Sequence, residues 1–338
     1  MYKSVIVPRF GGPEVLQVVE KEIPAPAPNE CRVKVLAAGV ARVDSMMRTG
    51  LYPVFTPLPP FCPGRDIAGI VDAVGKAVET LRVGEMVAAY TNGNGYAEYI
   101  CLPESALVPF SSQLDPRQVA CLPLNYITAY QLLHRFAKVK KGERVLIHGA
   151  GSGVGTALIQ LGALVDLEMY GTASPAKHET IYRLGATPID YKSEDFVKKI
   201  FSLTGDGVDV VLDHVGGRHL WKSFKTLRPG GRMIAYGELS WASGNKINQV
   251  EKLSHSILLK LLKYAPKRIV RWYELDPAGG MIPPEWYRED LRTLINLLQR
   301  EKIKPIIAAH FPLVEAVKAH KLFDETGITG KIILTCNG

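Results

Sequence analysis

The sequence has little cysteine and no long apolar run. Its 338 residues include five cysteines, and no two of them form a Cys-x-x-Cys pair: Cys31, Cys62, Cys101, Cys121 and Cys336. An odd number at wide spacing argues against a disulfide framework and against a cysteine-rich zinc site. No apolar run approaches the ~20 residues that span a bilayer, and the first residues lack the apolar core of a signal peptide. We therefore expect a cytoplasmic protein with reduced thiols and no membrane span.

Acidic residues are fewer than basic ones, 33 against 41, which gives a formal net charge of +8. The two basic clusters, at 138–144 and 260–271, lack the interleaved aromatic residues of a surface that stacks nucleic-acid bases. We therefore expect no nucleic-acid partner. A small anionic cofactor would account for a few cations in a cleft.

Periodic patterns are weak in the N-terminal third of the chain and clear in the middle. A single core rarely grows beyond ~250–300 residues, so a chain of this length predicts two domains. The N-terminal third reads as short strands separated by glycine and proline. From Arg144 onward, β-branched runs alternate with helical patterns. This alternation predicts βαβ units and an α/β domain with a parallel, doubly wound sheet.

The strongest local motif is a glycine-rich turn between a strand and a helix. The strand 144–148 runs into Gly-Ala-Gly-Ser-Gly-Val-Gly at 149–155, and a helical pattern follows at once. Glycines let the backbone approach a pyrophosphate, and a helix N-terminus supplies N–H groups and a positive dipole. The strict Gly-x-Gly-x-x-Gly spacing is absent, and a tight turn without ligand is the alternative. We interpret four residues as a dinucleotide phosphate site: Gly151, Ser152, Gly153 and Val154.

The end of the next strand indicates which cofactor binds. NAD enzymes carry Asp or Glu there to bind both ribose hydroxyls. This chain has Ala173 and Ser174, with Lys177 one turn further on. A carboxylate would repel a 2′-phosphate, whereas an ammonium would hold it, and the Tyr191 hydroxyl could add a hydrogen bond. These residues favour NADPH over NADH, although Lys177 alone is also compatible with a solvated helix lysine.

An ordered set of short motifs extends over nearly the whole chain: Gly39–Asp44, Gly50–Pro53, Pro63–Gly69, Val83–Val87, Gly95–Tyr99, Thr128–Tyr130, the glycine loop, Gly207–Asp213, Leu227–Gly231 and Gly330–Leu334. Together they make the sequence resemble the zinc-free, quinone oxidoreductase (zeta-crystallin-like) branch of the medium-chain dehydrogenase/reductases. The number and order of the matches are specific for the superfamily and less specific for a substrate.

The resemblance implies an α/β protein with a GroES-like β-barrel catalytic domain and a Rossmann domain with a doubly wound parallel sheet. We assign residues 1–124 to the first part of the catalytic domain and 125–267 to the Rossmann NADPH-binding domain. Residues 268–338 are assigned to a C-terminal return to the catalytic domain. Family members usually dimerise, so the resemblance also implies a homodimer.

The resemblance places further residues beside the cofactor and the substrate. It implies that Thr128 and the turn containing His214, Val215 and Gly216 lie beside the ribose and nicotinamide. Tyr52, in the Gly-Leu-Tyr-Pro loop, would face the nicotinamide cleft and donate a proton or orient the substrate. The alternative is that Tyr52 is a packed loop tyrosine.

Three departures concern metal binding. Zinc alcohol dehydrogenases of this superfamily hold their catalytic metal with a Cys, a His–Glu pair and a second Cys. The corresponding positions here are Ala41, Arg65–Asp66 and about Leu124. Because a catalytic zinc site needs three protein ligands, we expect no metal.

Two further departures concern the quinone branch. The Asn that is usual in this branch is replaced by Ala41, and the aromatic residue that is usual in this branch is replaced near Met46.

These observations predict an NADPH-dependent, zinc-independent reductase that transfers hydride to quinones or α,β-unsaturated carbonyls. The substrate would be small, hydrophobic and electrophilic. One alternative is an enoyl-thioester reductase, which uses the same chemistry on an acyl carrier. The other is a non-catalytic NADPH-binding protein with an RNA- or membrane-associated role.

The segment Leu253–Tyr273 combines apolar residues with flanking lysines and arginines. Three interpretations compete: a core or dimer-interface helix, a lid over an apolar substrate, and a basic amphipathic helix on an anionic membrane. The apolar positions cover more of the helix than a single surface stripe, which favours packing.

Overall fold

In a computed structural model the chain divides into two compact units. The first comprises Met1–Ile127 and Pro283–Gly338, and the second comprises Thr128–Ile282. The structure describes residues 1–52, 56–237, 240, 248–275, 283–325 and 327–336. Within these ranges, no helix has the length and apolar character required to cross a membrane.

Strands outnumber helices in the first unit and alternate with helices in the second. The strands are β1 (Tyr2–Ile6), β2 (Gln17–Lys21), β3 (Glu30–Val40), β4 (Asp66–Val74), β5 (Met86–Tyr90), β6 (Tyr99–Pro103), β7 (Val108–Phe110), β8 (Arg144–His148), β9 (Glu168–Ala173), β10 (Ala186–Asp190), β11 (Val208–Asp213), β12 (Leu227–Ala235), β13 (Ile269–Trp272), β14 (Ile307–Pro312) and β15 (Lys331–Thr335). The helices are α1 (Arg42–Arg48), α2 (Pro116–Val119), α3 (Ile127–Tyr130), α4 (Gly153–Ala163), α5 (His178–Arg183), α6 (Phe196–Thr204), α7 (His219–Lys225), α8 (Gln249–Leu262), α9 (Pro284–Gln299) and α10 (Ala316–Glu325).

The first unit is built on a seven-stranded sheet. Its order is β14-β15-β3-β4-β5-β7, with β6 paired to β3, and every pairing except β14–β15 is antiparallel. Along β3, Cys31, Val33 and Val35 are buried while the residues between them are partly exposed. This alternation places one face of the strand in a core that also contains Ile67 and Val87.

The second unit contains a six-stranded sheet in which all pairings are parallel. The order is β10-β9-β8-β11-β12-β13, so the strands of this unit are arranged 3-2-1-4-5-6. Strand residues such as Leu146, Val210 and Val211 have no solvent exposure, as expected for a sheet covered on both faces. The chain reverses direction across the sheet between β8 and β11, which is where doubly wound folds bind ligands.

The predicted two-domain α/β fold, with its Rossmann sheet, is confirmed. The second unit includes β13, which lies beyond residue 267 and pairs in parallel with β12. The domain boundaries stay a prediction.

Candidate functional site

The glycine-rich loop lies at the carboxyl end of β8, at the reversal point of the sheet. Gly149 has φ +65°, a left-handed conformation that glycine adopts without a steric penalty. A Cβ on Gly155 would lie 2.4 Å from the Gly149 carbonyl oxygen, so α4 can begin this close to the loop only with glycine there. The sequence thus produces a backbone cradle immediately before a helix N-terminus.

The cradle presents unused amides. The Ser152 hydroxyl caps α4 by accepting a hydrogen bond from the Gly155 amide at 3.0 Å. Among the described residues, the Gly151, Gly153 and Val154 amides have no hydrogen-bond acceptor. Three free N–H groups at a helix N-terminus form an anion site that fits a pyrophosphate. Of the four predicted loop residues, Ser152 contributes its side chain, which caps α4 and so fixes the loop that presents the three amides.

The end of β9 carries the residues predicted to select the cofactor. Ala173 is buried, and Lys177 is half-buried with its side chain against the loop, since a Cβ on Gly151 would lie 2.4 Å from Lys177 Cδ. Burial lowers the pKa of Lys177 from its ordinary value. Ala173 pairs with Asp190, so Ser174 and the exposed Tyr191 leave the sheet at the same edge. No carboxylate takes the position at the end of β9, which fits a cofactor with a 2′-phosphate.

A buried carboxylate, Asp213 at the end of β11, organises the adjoining turn. Its Oδ1 accepts hydrogen bonds from the Val215 and Gly216 amides at 2.8 and 3.0 Å. Its Oδ2 accepts from the Ser223 hydroxyl at 2.5 Å and from His219 Nδ1 at 2.9 Å. Burial would raise the pKa of Asp213, but the hydrogen bonds and charges of these partners outweigh it and hold the pKa well below its ordinary value.

The same network reaches the glycine loop through His148. His148 Nε2 lies 3.0 Å from the Ser223 hydroxyl, and Nδ1 lies 3.0 Å from the Thr172 hydroxyl. Because Ser223 gives its proton to Asp213, Nε2 donates to Ser223, and Nδ1 accepts from Thr172. Thr172 in turn accepts from the Gly149 amide at 3.3 Å. A continuous hydrogen-bond chain therefore joins the glycine loop to the Asp213 turn.

His148, Asp213 and His219 also form a group of possible metal ligands, with ligand atoms within 4.8 Å of one another. The Ser223 hydroxyl, however, bridges His148 and Asp213, and Asp213 Oδ2 already accepts two hydrogen bonds. The cluster is satisfied by its own hydrogen bonds, and burial holds the pKa of His148 well below its ordinary value. We interpret it as the support that orients both loops.

The remaining residues predicted to contact the cofactor occupy different surroundings. The Val215 and Gly216 amides are engaged by Asp213, and their carbonyls accept from the Ser240 and His219 amides. His214 packs on the loop, since a Cβ on Gly149 would lie 2.4 Å from His214 Cε1. Thr128 is buried at α3. The contacts of these residues with a cofactor stay a prediction.

In the first unit, the Tyr52 side chain is half-buried, and the Arg65 guanidinium lies over the face of its ring. The Arg65 guanidinium carbon is 5.4 Å from the centre of the Tyr52 ring, and the Thr56 hydroxyl donates to the Tyr52 carbonyl at 3.1 Å. Arg65 also donates from Nη1 to the Tyr90 hydroxyl at 2.5 Å. The predicted proton donor thus has a cationic neighbour, which stabilises negative charge near the ring.

A second group of buried acids, Asp44 and Asp66, lies in the first unit. Lys331 donates to Asp66 at 2.6 Å, and both side chains are buried. Asp44 accepts from the Ala41 and Gly64 amides and from the Tyr96 hydroxyl. Burial, reinforced by the neighbouring Asp66, raises the pKa of Asp44 to about 6. Ala41 and Arg65 offer neither a thiolate nor an imidazole, so this cluster is a hydrogen-bonded framework.

Sequence reasoning missed both buried networks. The network around Asp213 could have been found from two polar residues, His148 and Asp213, that each end an otherwise apolar buried strand. His219 and Ser223, four positions apart on one face of α7, were the second indication. The signal for the second was weaker, because Lys331 opens a strand far along the chain from Asp66.

Comparison with protein families and curated proteins gives consistent results. Residues 27–112 match the alcohol dehydrogenase GroES-like domain, and residues 184–334 match the zinc-binding dehydrogenase family. The chain is 31% identical to the quinone oxidoreductase of Rattus norvegicus over 99% of this chain and 98% of that protein. It is also 31% identical to the synaptic vesicle membrane protein VAT-1 homolog-like of Mus musculus, over 98% of this chain and 81% of that protein.

Solved structures agree with these relatives. The quinone oxidoreductase of Escherichia coli complexed with NADPH superimposes with a TM-score of 0.86 at 28% identity, covering 98% of this chain and 99% of that chain. The CurK enoyl reductase has a TM-score of 0.84 at 26% identity, with 99% of both chains covered.

Proposed function

The chain belongs to the medium-chain dehydrogenase/reductase family, in its quinone oxidoreductase (zeta-crystallin-like) branch, and from this we propose that it is an NADPH-dependent reductase of quinones or α,β-unsaturated carbonyls. The family is one of oxidoreductases. The observation that carries the proposal is the glycine loop, where three free amides lie beside Lys177 and no carboxylate follows Ala173.

Each group of residues has a defined role in this proposal. The Gly151, Gly153 and Val154 amides hold the pyrophosphate of the cofactor. Lys177 supplies positive charge to the 2′-phosphate, and Ser174 and Tyr191 add hydroxyl donors at the same sheet edge. The chain of hydrogen bonds from Asp213 to Gly149 fixes the loop before the cofactor arrives, which lowers the entropy cost of binding.

The chemistry follows from charge placement. NADPH, when bound, supplies a hydride to the electrophilic carbon of the acceptor. The negative charge then collects on the conjugated oxygen, which needs a hydrogen-bond donor and finally a proton. Tyr52 provides such a hydroxyl, and the Arg65 guanidinium against its ring helps to position it. Ala41, Arg65 and Leu124 provide no zinc ligand, so the proposed reaction requires no Lewis acid.

A screen of NADPH oxidation tests the proposal. The purified protein is assayed against a quinone, an enal, an enone and an enoyl thioester, with NADH as the alternative donor. We expect turnover of the quinone, the enal or the enone with NADPH in preference to NADH. Absence of turnover with all four acceptors, despite tight NADPH binding, would contradict the proposal.

Two alternatives are supported by particular relatives. Preference for the enoyl thioester in the same screen would make the protein an enoyl-thioester reductase, in line with its similarity to the CurK enoyl reductase. NADPH binding without turnover would favour a non-catalytic role, and the relatives named synaptic vesicle membrane protein point to a membrane-associated one. We further place the protein in the cytoplasm as a homodimer, which light scattering at several concentrations would test.

A further inference from the structure

Arg65 lies immediately before β4 with its charge between two aromatic rings. Its guanidinium carbon is 5.4 Å from the centre of the Tyr52 ring and 5.8 Å from that of Tyr90. The side chain is half-buried, and its Nε atom is fully buried. The rings hold the guanidinium in place and remove part of its hydration.

The guanidinium has few hydrogen-bond acceptors. Nη1 donates to the Tyr90 hydroxyl at 2.5 Å and Nη2 to the Met47 sulfur at 3.4 Å, a weak acceptor. Nε has no acceptor in the described ranges, and no carboxylate of those ranges forms an ion pair with Arg65. Arg48 shows the contrast, because its fully buried side chain bonds to Asp324 at 2.6 Å. Three of the five N–H donors of Arg65 therefore have no acceptor among the described residues, and one of these three, on Nε, is buried from solvent.

The charges of Asp44 and Asp66 act on this guanidinium, but neither carboxylate forms an ion pair with it. Asp66 is bonded to Lys331 at 2.6 Å, and Asp44 is occupied by two backbone amides and the Tyr96 hydroxyl. A partly desolvated guanidinium that lacks a direct ion pair is stabilised further by an anion that binds beside it. Because Tyr52 is the proposed donor to the acceptor, an anion on Arg65 would belong to the acceptor.

We propose that Arg65, together with Tyr52 and Tyr90, binds a carboxylate group carried by the acceptor. A planar guanidinium matches a planar carboxylate in a paired, two-bond geometry, and the flanking rings pack against a conjugated body. The substrate class is then a quinone or α,β-unsaturated carbonyl compound that bears a carboxylate. This inference rests on the proposed reductase function for its turnover consequences, whereas anion binding itself does not.

Equilibrium binding tests the anion site without any reaction. Titration calorimetry compares trans-cinnamate with cinnamamide, its neutral isostere, on the full-length protein. We expect cinnamate to bind more tightly. Arg65→Met removes one charge-assisted hydrogen-bonded pair, so its affinity for cinnamate should be roughly ten- to a hundred-fold lower. The ratio of the affinities for cinnamate and cinnamamide should fall accordingly. Equal binding of the two ligands, or inorganic phosphate competing as strongly as cinnamate, would overturn the proposal.

Two further variants control for folding and for non-specific charge. Arg42→Met removes an exposed arginine of the same unit, whose guanidinium lies 5.0 Å from the Phe323 ring, and should keep the cinnamate preference. Arg65→Lys keeps the charge without the fork and should retain an intermediate preference. A loss as large in Arg42→Met as in Arg65→Met would show that general charge, and not this site, is responsible. Circular dichroism verifies that each variant is folded.

Turnover separates this inference from the proposed function. Benzylideneacetone with a para-carboxylate is compared with its para-carboxamide as NADPH-dependent acceptors. We expect a higher kcat/KM for the carboxylate in the wild type and a fall in the ratio of the two in Arg65→Met. If neither is reduced while the cinnamate preference stands and depends on Arg65, the proposed function fails and the anion site remains. If both are reduced equally and cinnamate is not preferred, the anion site fails and the reductase remains.

Discussion

Lys177 has the position and charge to distinguish NADPH from NADH. Its half-buried side chain packs on Gly151 of the glycine loop, and no carboxylate stands at the end of β9. Replacing it by alanine removes one charged hydrogen bond, worth about 1.5–3 kcal/mol. NADPH affinity should fall roughly ten- to a hundred-fold, with NADH barely altered, as measured by fluorescence titration. Equal losses for the two cofactors would assign Lys177 to the pyrophosphate or to the fold.

Removing one oxygen atom, in Tyr52→Phe, distinguishes a role of Tyr52 in the reaction from a role in cofactor binding. If its hydroxyl donates a hydrogen bond or a proton to the acceptor oxygen, Tyr52→Phe should lower kcat at least about ten-fold, the small end of typical acid–base contributions. NADPH binding should not change. Steady-state kinetics with several acceptors measures this, and an unaltered kcat with all of them would leave Tyr52 as a packing residue.

His320 gives a pH-dependent contribution to stability. It is fully buried between Arg48 and Tyr96, and burial, aided by the Arg48 charge, lowers its pKa to about 3. Between that value and the ordinary ~6.5 the unfolded chain binds the extra proton. The free energy of unfolding therefore loses up to about 1.4 kcal/mol per pH unit as the pH falls through this window. Asp44, whose pKa is raised to about 6, opposes the loss over part of the range.

His320→Gln isolates the histidine contribution because glutamine does not titrate. Urea unfolding at pH 6.5 and pH 4.5 should show that wild type loses more stability than the variant, by roughly one proton's worth per pH unit. Parallel losses in the two proteins would mean that His320 is protonated in the folded state.

Among the structural elements, helix α8 carries two apolar faces. Leu258 and Leu259 are partly buried and Leu262 is buried against the core of the second unit. On the other side Leu253, Ile257 and Leu261 are 62%, 47% and 64% exposed in the single chain, so the role of this face as a dimer interface or lid stays a prediction. Hydrophobic periodicity identifies the apolar residues of this helix, but it cannot show whether a second apolar face has a partner.

Leu262 and Leu261 form a matched pair on this helix. Leu262→Ala should lower the free energy of unfolding by about 2–5 kcal/mol, because it leaves a cavity in the core. Leu261→Ala should change it by less than about 0.5 kcal/mol, since 64% of that residue is exposed. Urea denaturation at low protein concentration compares them. A large cost at Leu261 would indicate that its face is covered in solution, as the dimer-interface interpretation of this segment requires.

At the scale of the whole molecule, the sequence predicted features that are local and periodic. The glycine loop and the strand before it needed only adjacent residues, and the alternation of strands and helices predicted the parallel sheet. The unpredicted contacts join distant residues. Ser223 is hydrogen-bonded to His148, 75 residues away in the sequence, and Lys331 is hydrogen-bonded to Asp66, 265 residues away. Hydrophobic periodicity reports which face is buried, and it carries no information on which polar atoms meet there.

Isotope transfer tests the central claim most directly. The protein is incubated with an enone and NADPH that carries deuterium at both C4 positions of its nicotinamide ring. A hydride-transferring reductase places one deuterium on the β-carbon of the saturated ketone for each NADPH consumed, as mass spectrometry and NMR would show. NADPH consumption with no deuterium in the product, or a saturated ketone labelled only from solvent, would contradict the account.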